Sequence, residues 1–168
     1  KVPTTPDYYQ CFYFKPEFGK DVTGKGFLPL IDNDKVIHHW LLFVKDDASK
    51  KAGTNERCSG VNPGATLIAG WAPGGEPTIA PDDVGIQLPQ GPNVVYQLEL
   101  HYNNTVGPNA TDQSGVKLCA TKNPQKELAA IHYLGSENIL VPPGMGTAQS
   151  TCKPTKPVTL LSVNPHMH

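Results

Sequence analysis

The chain is short of almost everything that marks a common chemistry. Its 168 residues carry a net charge of −1. No basic patch points to nucleic acid, and no charge run makes an acidic tail. The longest apolar stretches, such as Trp40-Leu41-Leu42-Phe43-Val44, fall far short of the roughly 20 residues that span a bilayer. The four cysteines, Cys11, Cys58, Cys119 and Cys152, include no CxxC pair, which argues against a zinc ribbon or a thioredoxin-like motif. There is no GxSxG elbow, P-loop or HExxH motif. Asp32-Asn33-Asp34 and Asp82-Asp83 read as turn residues and lack EF-hand spacing. The first residues lack a signal-peptide pattern, and Lys1-Val2-Pro3 reads as a mature or trimmed start.

Glycine and proline are plentiful instead, at 16 and 17 residues. Together they make up roughly a fifth of the chain, against about 12% in average usage. Helix interiors tolerate neither residue, whereas strands joined by turns accept both at the joins. The composition predicts an all-β protein. Widely spaced cysteines read as disulfides formed in an oxidising compartment. Asn103-Asn104-Thr105 and Asn109-Ala110-Thr111 are acceptor tripeptides for N-glycosylation at Asn103 and Asn109. Both signals point to secretion.

Strands are expected at Tyr9–Phe14, Lys35–Val44, Leu67–Trp71, Val94–Tyr102 and Val116–Ala120. Residues 45–64 read as a polar loop. In the Val94–Tyr102 segment Val94, Tyr96, Leu98 and Leu100 share one face, and Val95, Gln97, Glu99 and His101 share the other, more polar one. Composition shifts near Lys122–Lys126, which sets an expected domain boundary near residue 127. Beyond it Ala129–Leu134, Asn138–Val141 and Val158–Val163 read as further strands, and Glu127–Ala130 as at most one helical turn, too short to nucleate alone. The last 41 residues are too few for an independent core of this type.

Five of the six histidines fall in three places: His38-His39, His101, and His166-Met167-His168. Imidazole is the commonest side-chain ligand for copper and zinc. On a strand, His166 and His168 face the same side and Met167 the other. His38 and His39 are adjacent, so a regular strand aims them at opposite faces. Either the backbone is bulged there, or only one of them is a ligand and the other is structural. His101 alone is uninformative. His132, between Ile131 and Tyr133, has no partner nearby and reads as structural.

Taken in order, Ile37-His38-His39-Trp40-Leu41-Leu42-Phe43, Gly70-Trp71-Ala72-Pro73-Gly74, Pro81-Asp82-Asp83-Val84-Gly85, Leu98-Glu99-Leu100-His101-Tyr102-Asn103-Asn104, Asp112-Gln113-Ser114-Gly115, Val141-Pro142-Pro143-Gly144 and His166-Met167-His168 resemble the copper type II, ascorbate-dependent monooxygenases. That family includes dopamine β-monooxygenase and the peptidylglycine α-hydroxylating enzymes. The resemblance runs from Tyr9 to His168. It implies antiparallel, jelly-roll-like β-sandwich domains with one copper each: residues 1–127 as the first sandwich and 128–168 as the opening strands of a second, whose remainder lies beyond this chain. It implies an electron-transfer copper on His38, His39 and His101. It also implies an oxygen-activating copper on His166, His168 and a downstream methionine. A soft thioether favours Cu(I), the form that meets oxygen. Ascorbate would be the reductant, O2 and a small organic molecule the substrates, with no nucleic acid and no membrane span.

The chain departs from the family pattern in its fewer cysteines. The resemblance implies a Cys11–Cys119 disulfide, leaving Cys58 without an assigned partner and Cys152 to pair beyond residue 168. Where peptide-hydroxylating members carry an arginine two residues before the HxH pair, this chain has Asn164, which disfavours a peptidyl-glycine substrate. The rival expectation is a secreted structural or adhesive β-sandwich of the same lineage with no catalytic role.

Overall fold

A computed structural model describes residues 1–60, 62–134 and 140–164. The chain divides into two compact units, Lys1–Ile131 and His132–His168. Among its described residues the first holds ten strands: β1 Tyr8–Phe14, β2 Val22–Leu30, β3 Ile37–Asp46, β4 Asn55–Cys58, β5 Thr66–Trp71, β6 Thr78–Ile79, β7 Val84–Leu88, β8 Val94–Tyr102, β9 Gly115–Thr121 and β10 Glu127–Ala129. The described residues contain no helix, and so none long and apolar enough to cross a membrane. The protein is an all-β sandwich, as its glycine and proline content predicts.

One sheet has the order β4-β1-β8-β3-β5; the other runs β10-β7-β2-β6, with β9 also paired to β2. Every pairing is antiparallel except β10 on β7. The core lies between the sheets. Trp40, Leu42 and Val44 of β3 and Tyr96, Leu98 and Leu100 of β8 meet Val22, Phe27 and Leu88 from the other sheet. The alternation legible in β8 thus sets its inward face. Its second face is buried too. Gln97, Glu99 and His101 are each no more than 1% exposed. Beside them Cys11, Tyr13 and Val95 form a separate small cluster with Cys58.

The structure corrects several local expectations. The polar loop of residues 45–64 contains β4, which pairs with β1 at the sheet edge. The Glu127–Ala130 turn is a strand, β10, held parallel to β7 by a ladder from Glu127 to Ala129. Among the described residues no strand follows β10, and residues 130–134 and 158–163 form none. A strand exists only where another strand satisfies its backbone groups. The apolar side chains of this stretch, such as Val158, Leu160 and Val163, are largely exposed. Asn138 and Ile139 of the expected 138–141 strand lie outside the described residues.

The disulfide is also different from expectation. Cys11 bonds to Cys58, with Cα atoms 5.9 Å apart, and not to Cys119. Cys11 lies on the outer face of β1 and the last residue of β4 is Cys58, one strand away. Cys119 sits in the opposite sheet, on β9 facing Gly26 of β2. It is exposed and free, as is Cys152.

Candidate metal centre

The register of three neighbouring strands builds one site. Tyr9 of β1, His101 of β8 and His39 of β3 lie in a single cross-strand row, so their side chains share the outer face of the sheet. His38 reaches the same place through a bulge. Ile37 pairs with Tyr102 and His39 with His101, and the register shifts between them. His38 is the extra residue. In a regular strand Ile37 and His39 would share a face. Here Ile37 belongs to the inter-sheet core, His39 faces outward, and the bend between them brings His38 alongside. A bulge re-aims a side chain in just this way, and it resolves the difficulty of two adjacent histidines at one point.

The three rings converge through the same atom. His38 Nδ1 lies 3.1 Å from His39 Nδ1 and 3.2 Å from His101 Nδ1, and the third side of the triangle is 3.4 Å. A point equidistant from the three nitrogens is about 1.9 Å from each, close to the roughly 2.0–2.1 Å of zinc–imidazole bonds. Three neutral imidazoles that all turn lone pairs inward repel one another unless a cation or shared protons lie between them. The donor set therefore fits a first-row transition metal, copper included. His39 and His101 are 4% and 1% exposed, while His38 is half-buried. The site is sheltered from the core side and reachable from the side of His38.

Its surroundings include groups that sequence reasoning did not pick out. The Tyr9 ring stacks on His101 with centroids 4.0 Å apart and planes 7° from parallel. Gly60, at a positive φ of 75°, lies against the Tyr9 ring so closely that a Cβ there would come within 3.0 Å of it. Burial, then the nearby Asp7 and Glu99 carboxyls, raise the Tyr9 phenol above its ordinary pKa. Asp7 Oδ1 sits 3.1 Å from His101 Nε2. No local signal marks Tyr9 or Asp7. Only the pairing of β1 with β8 reveals them.

Two residues before His101 on the same face, Glu99 is fully buried. Its Oε2 accepts a hydrogen bond from Asn62 Nδ2 at 2.8 Å and lies 3.7 and 3.8 Å from the sulfurs of Cys11 and Cys58. Its Oε1 has no hydrogen-bond partner among the described residues. Burial raises its pKa above the usual carboxylate value, against the lowering effect of the Asn62 bond.

A family model for the N-terminal domain of copper type II ascorbate-dependent monooxygenases matches residues 1–109. The chain belongs to that family. Its relatives include DBH-like monooxygenase protein 2 of Mus musculus, 34% identical over 156 residues, covering 85% of this chain and 25% of that protein. DBH-like monooxygenase protein 1 of Homo sapiens is 32% identical over 168 residues, covering 89% and 27%. Peptidyl-glycine alpha-amidating monooxygenase of Mus musculus is 29% identical over 148 residues, covering 85% and 15%. The chain thus spans about a quarter of the length of the DBH-like relatives it matches.

His166 and His168 lie outside the described residues. His132 is exposed, in the second unit. Asn103 and Asn109 are both exposed, in the segment between β8 and β9.

Proposed function

We propose that this chain carries the electron-transfer copper site of a hydroxylating monooxygenase, with copper bound by His38, His39 and His101. The observation that supports this most directly is the triangle of three Nδ1 atoms, none more than 3.4 Å from another. Bound copper would supply one-electron exchange between Cu(II) and Cu(I). The residues of the chain do the rest. The bulge at His38 aligns the third ligand. The β1–β8–β3 row fixes the other two. Burial of His39 and His101 limits solvent movement around the charge. The half-exposed His38 side gives a reductant an approach.

In this reading residues 1–127 are the first copper sandwich and 128–168 begin a second. His166 and His168 are two ligands of an oxygen-activating copper whose thioether ligand comes from further along a longer protein. Ascorbate is the reductant, and O2 and a small organic molecule are the substrates. The Cys11–Cys58 disulfide and the exposed acceptors Asn103 and Asn109 support secretion or passage through the secretory lumen, with glycosylation at both asparagines.

The test is a Cu(II) titration of the 168-residue chain followed by electron paramagnetic resonance. One tightly held equivalent with nitrogen hyperfine structure, lost in H101A, is expected. Binding that survives removal of each of the three histidines in turn would refute the site. The chain alone should not hydroxylate substrate; turnover by it would overturn the assignment of the trio to electron transfer only.

A further inference from the structure

We infer that Asp7 is a positioning residue for the metal: its carboxylate takes the Nε2–H of His101 and so commits the Nδ1 lone pair to the ion. This rests on the copper reading above and adds a residue that the ligand set does not include.

A neutral imidazole has one N–H, and which nitrogen carries it depends on the partner of the other. In the metal-free protein two arrangements compete. With the proton on Nε2, His101 donates to Asp7 Oδ1 at 3.1 Å and its Nδ1 is open to a cation. With the proton on Nδ1, it donates to His38 Nδ1 at 3.2 Å or His39 Nδ1 at 3.4 Å, and the site is closed by its own hydrogen bond. Asp7 tilts that competition toward the open form. Carboxylate–histidine–metal arrangements work in this way, and loss of the outer partner typically lowers metal affinity about 10- to 100-fold.

Two further observations point the same way. The Asp7 side chain is 75% exposed while that of His101 is 1% exposed, so the carboxylate reaches inward from the surface to the one edge of the ring it can meet. Asp7 also has φ of 49°, and among the described residues only one other non-glycine, Asp83, is in the left-handed region. Aspartate tolerates that conformation better than most residues, and such positions concentrate where geometry serves a site. Tyr9 stacks on the flat of the ring and resists its tilting. Asp7 holds an edge, which sets rotation and tautomer.

Asp7→Gly separates this role from a merely structural one, because glycine keeps the left-handed backbone and removes only the carboxylate. The histidine tautomers of the whole metal-free chain are read by long-range proton–nitrogen NMR correlation. Wild-type His101 should carry its proton on Nε2. In D7G it should shift toward Nδ1 while His39 keeps its wild-type pattern, and Cu(II) affinity measured by chelator competition should fall about 10- to 100-fold. Asp7→Ser replaces D7G if the glycine variant does not fold. Wild-type His101 protonated on Nδ1 overturns the inference, as does an unchanged tautomer or an unchanged copper affinity in the variant. Failure of the wild-type trio to bind copper at all sinks the copper reading instead, and the tautomer measurement reports on Asp7 independently of it.

Discussion

Removing the disulfide by the double substitution C11A/C58A should destabilise the first unit by about 4 kcal/mol. The bond closes a loop with a sequence separation of 47, and the chain-entropy relation for such a loop gives about 13–14 cal/mol/K, or about 4 kcal/mol at 25 °C. Domains of this size are stable by about 5–15 kcal/mol, so the loss is a large share of the whole. Scaled by the entropy of unfolding for roughly 130 residues, it lowers Tm by about 15 °C. Alanine is the right replacement because Cys11 is fully buried, and serine would place an unsatisfied hydroxyl there. Urea denaturation of the oxidised parent and the double variant gives the difference directly. A loss below about 1 kcal/mol would refute the loop-entropy argument at this position. Peptide mapping of the non-reduced protein gives an independent check: C119S must leave the Cys11–Cys58 cross-linked peptide intact. If mapping instead recovers Cys11 bound to Cys119, the pairing described for β1 and β4 is wrong. The disulfide also ties β4, whose Cys58 lies opposite Tyr9 in the ladder, so the double variant should bind copper more weakly even where it remains folded.

Four other outcomes follow from the geometry. Each of H38A, H39A and H101A should lose tight copper binding, but H39A and H101A should also lower the Tm of the metal-free protein because those rings are buried, whereas the half-buried His38 should be nearly neutral in a thermal melt. E99Q should raise stability at neutral pH by about 1–3 kcal/mol. The carboxyl's folded-state pKa is raised above 4.5, so the native state holds more protons than the unfolded one from that value upward, and stability falls with rising pH until the folded pKa is passed; chemical denaturation across this range should show a flatter pH dependence in E99Q. D112A removes the acceptor for Asn33 N, Ser114 N, Ser114 Oγ and the Tyr102 hydroxyl and should cost about 2–4 kcal/mol in urea denaturation. G24A places a methyl 2.8 Å from the Phe27 ring and should cost about 1–3 kcal/mol by the same measurement.

Legibility in the sequence followed the reach of each signal. β8 was readable because alternation is local and its inward residues are all apolar. β2 was not, since Gly24, Gly26 and Pro29 break the pattern. The structure explains the first of these: Phe27 and Leu88 occupy the space a side chain at Gly24 would need. The trio of histidines followed from resemblance, while the strand period alone left His38 and His39 unresolved. A bulge is a property of two paired strands, and no residue of β3 announces it. The Cys11 partner failed for the same reason, because it depends on which strand lies beside β1. Asp7 and Tyr9 are set by register across 94 and 92 positions of chain, counted to His101.

The slip at His38 has a consequence for any attempt to move this centre elsewhere. Upstream of it the odd-numbered residue Ile37 points to the interior, and downstream the odd-numbered His39 points away from it. The trio exists only at the seam between those two phases. A His-His pair transplanted onto an unbroken ribbon would scatter its rings to opposite sides, however well the third imidazole were placed. What must be carried across is the additional backbone unit and the neighbouring strand against which it is counted.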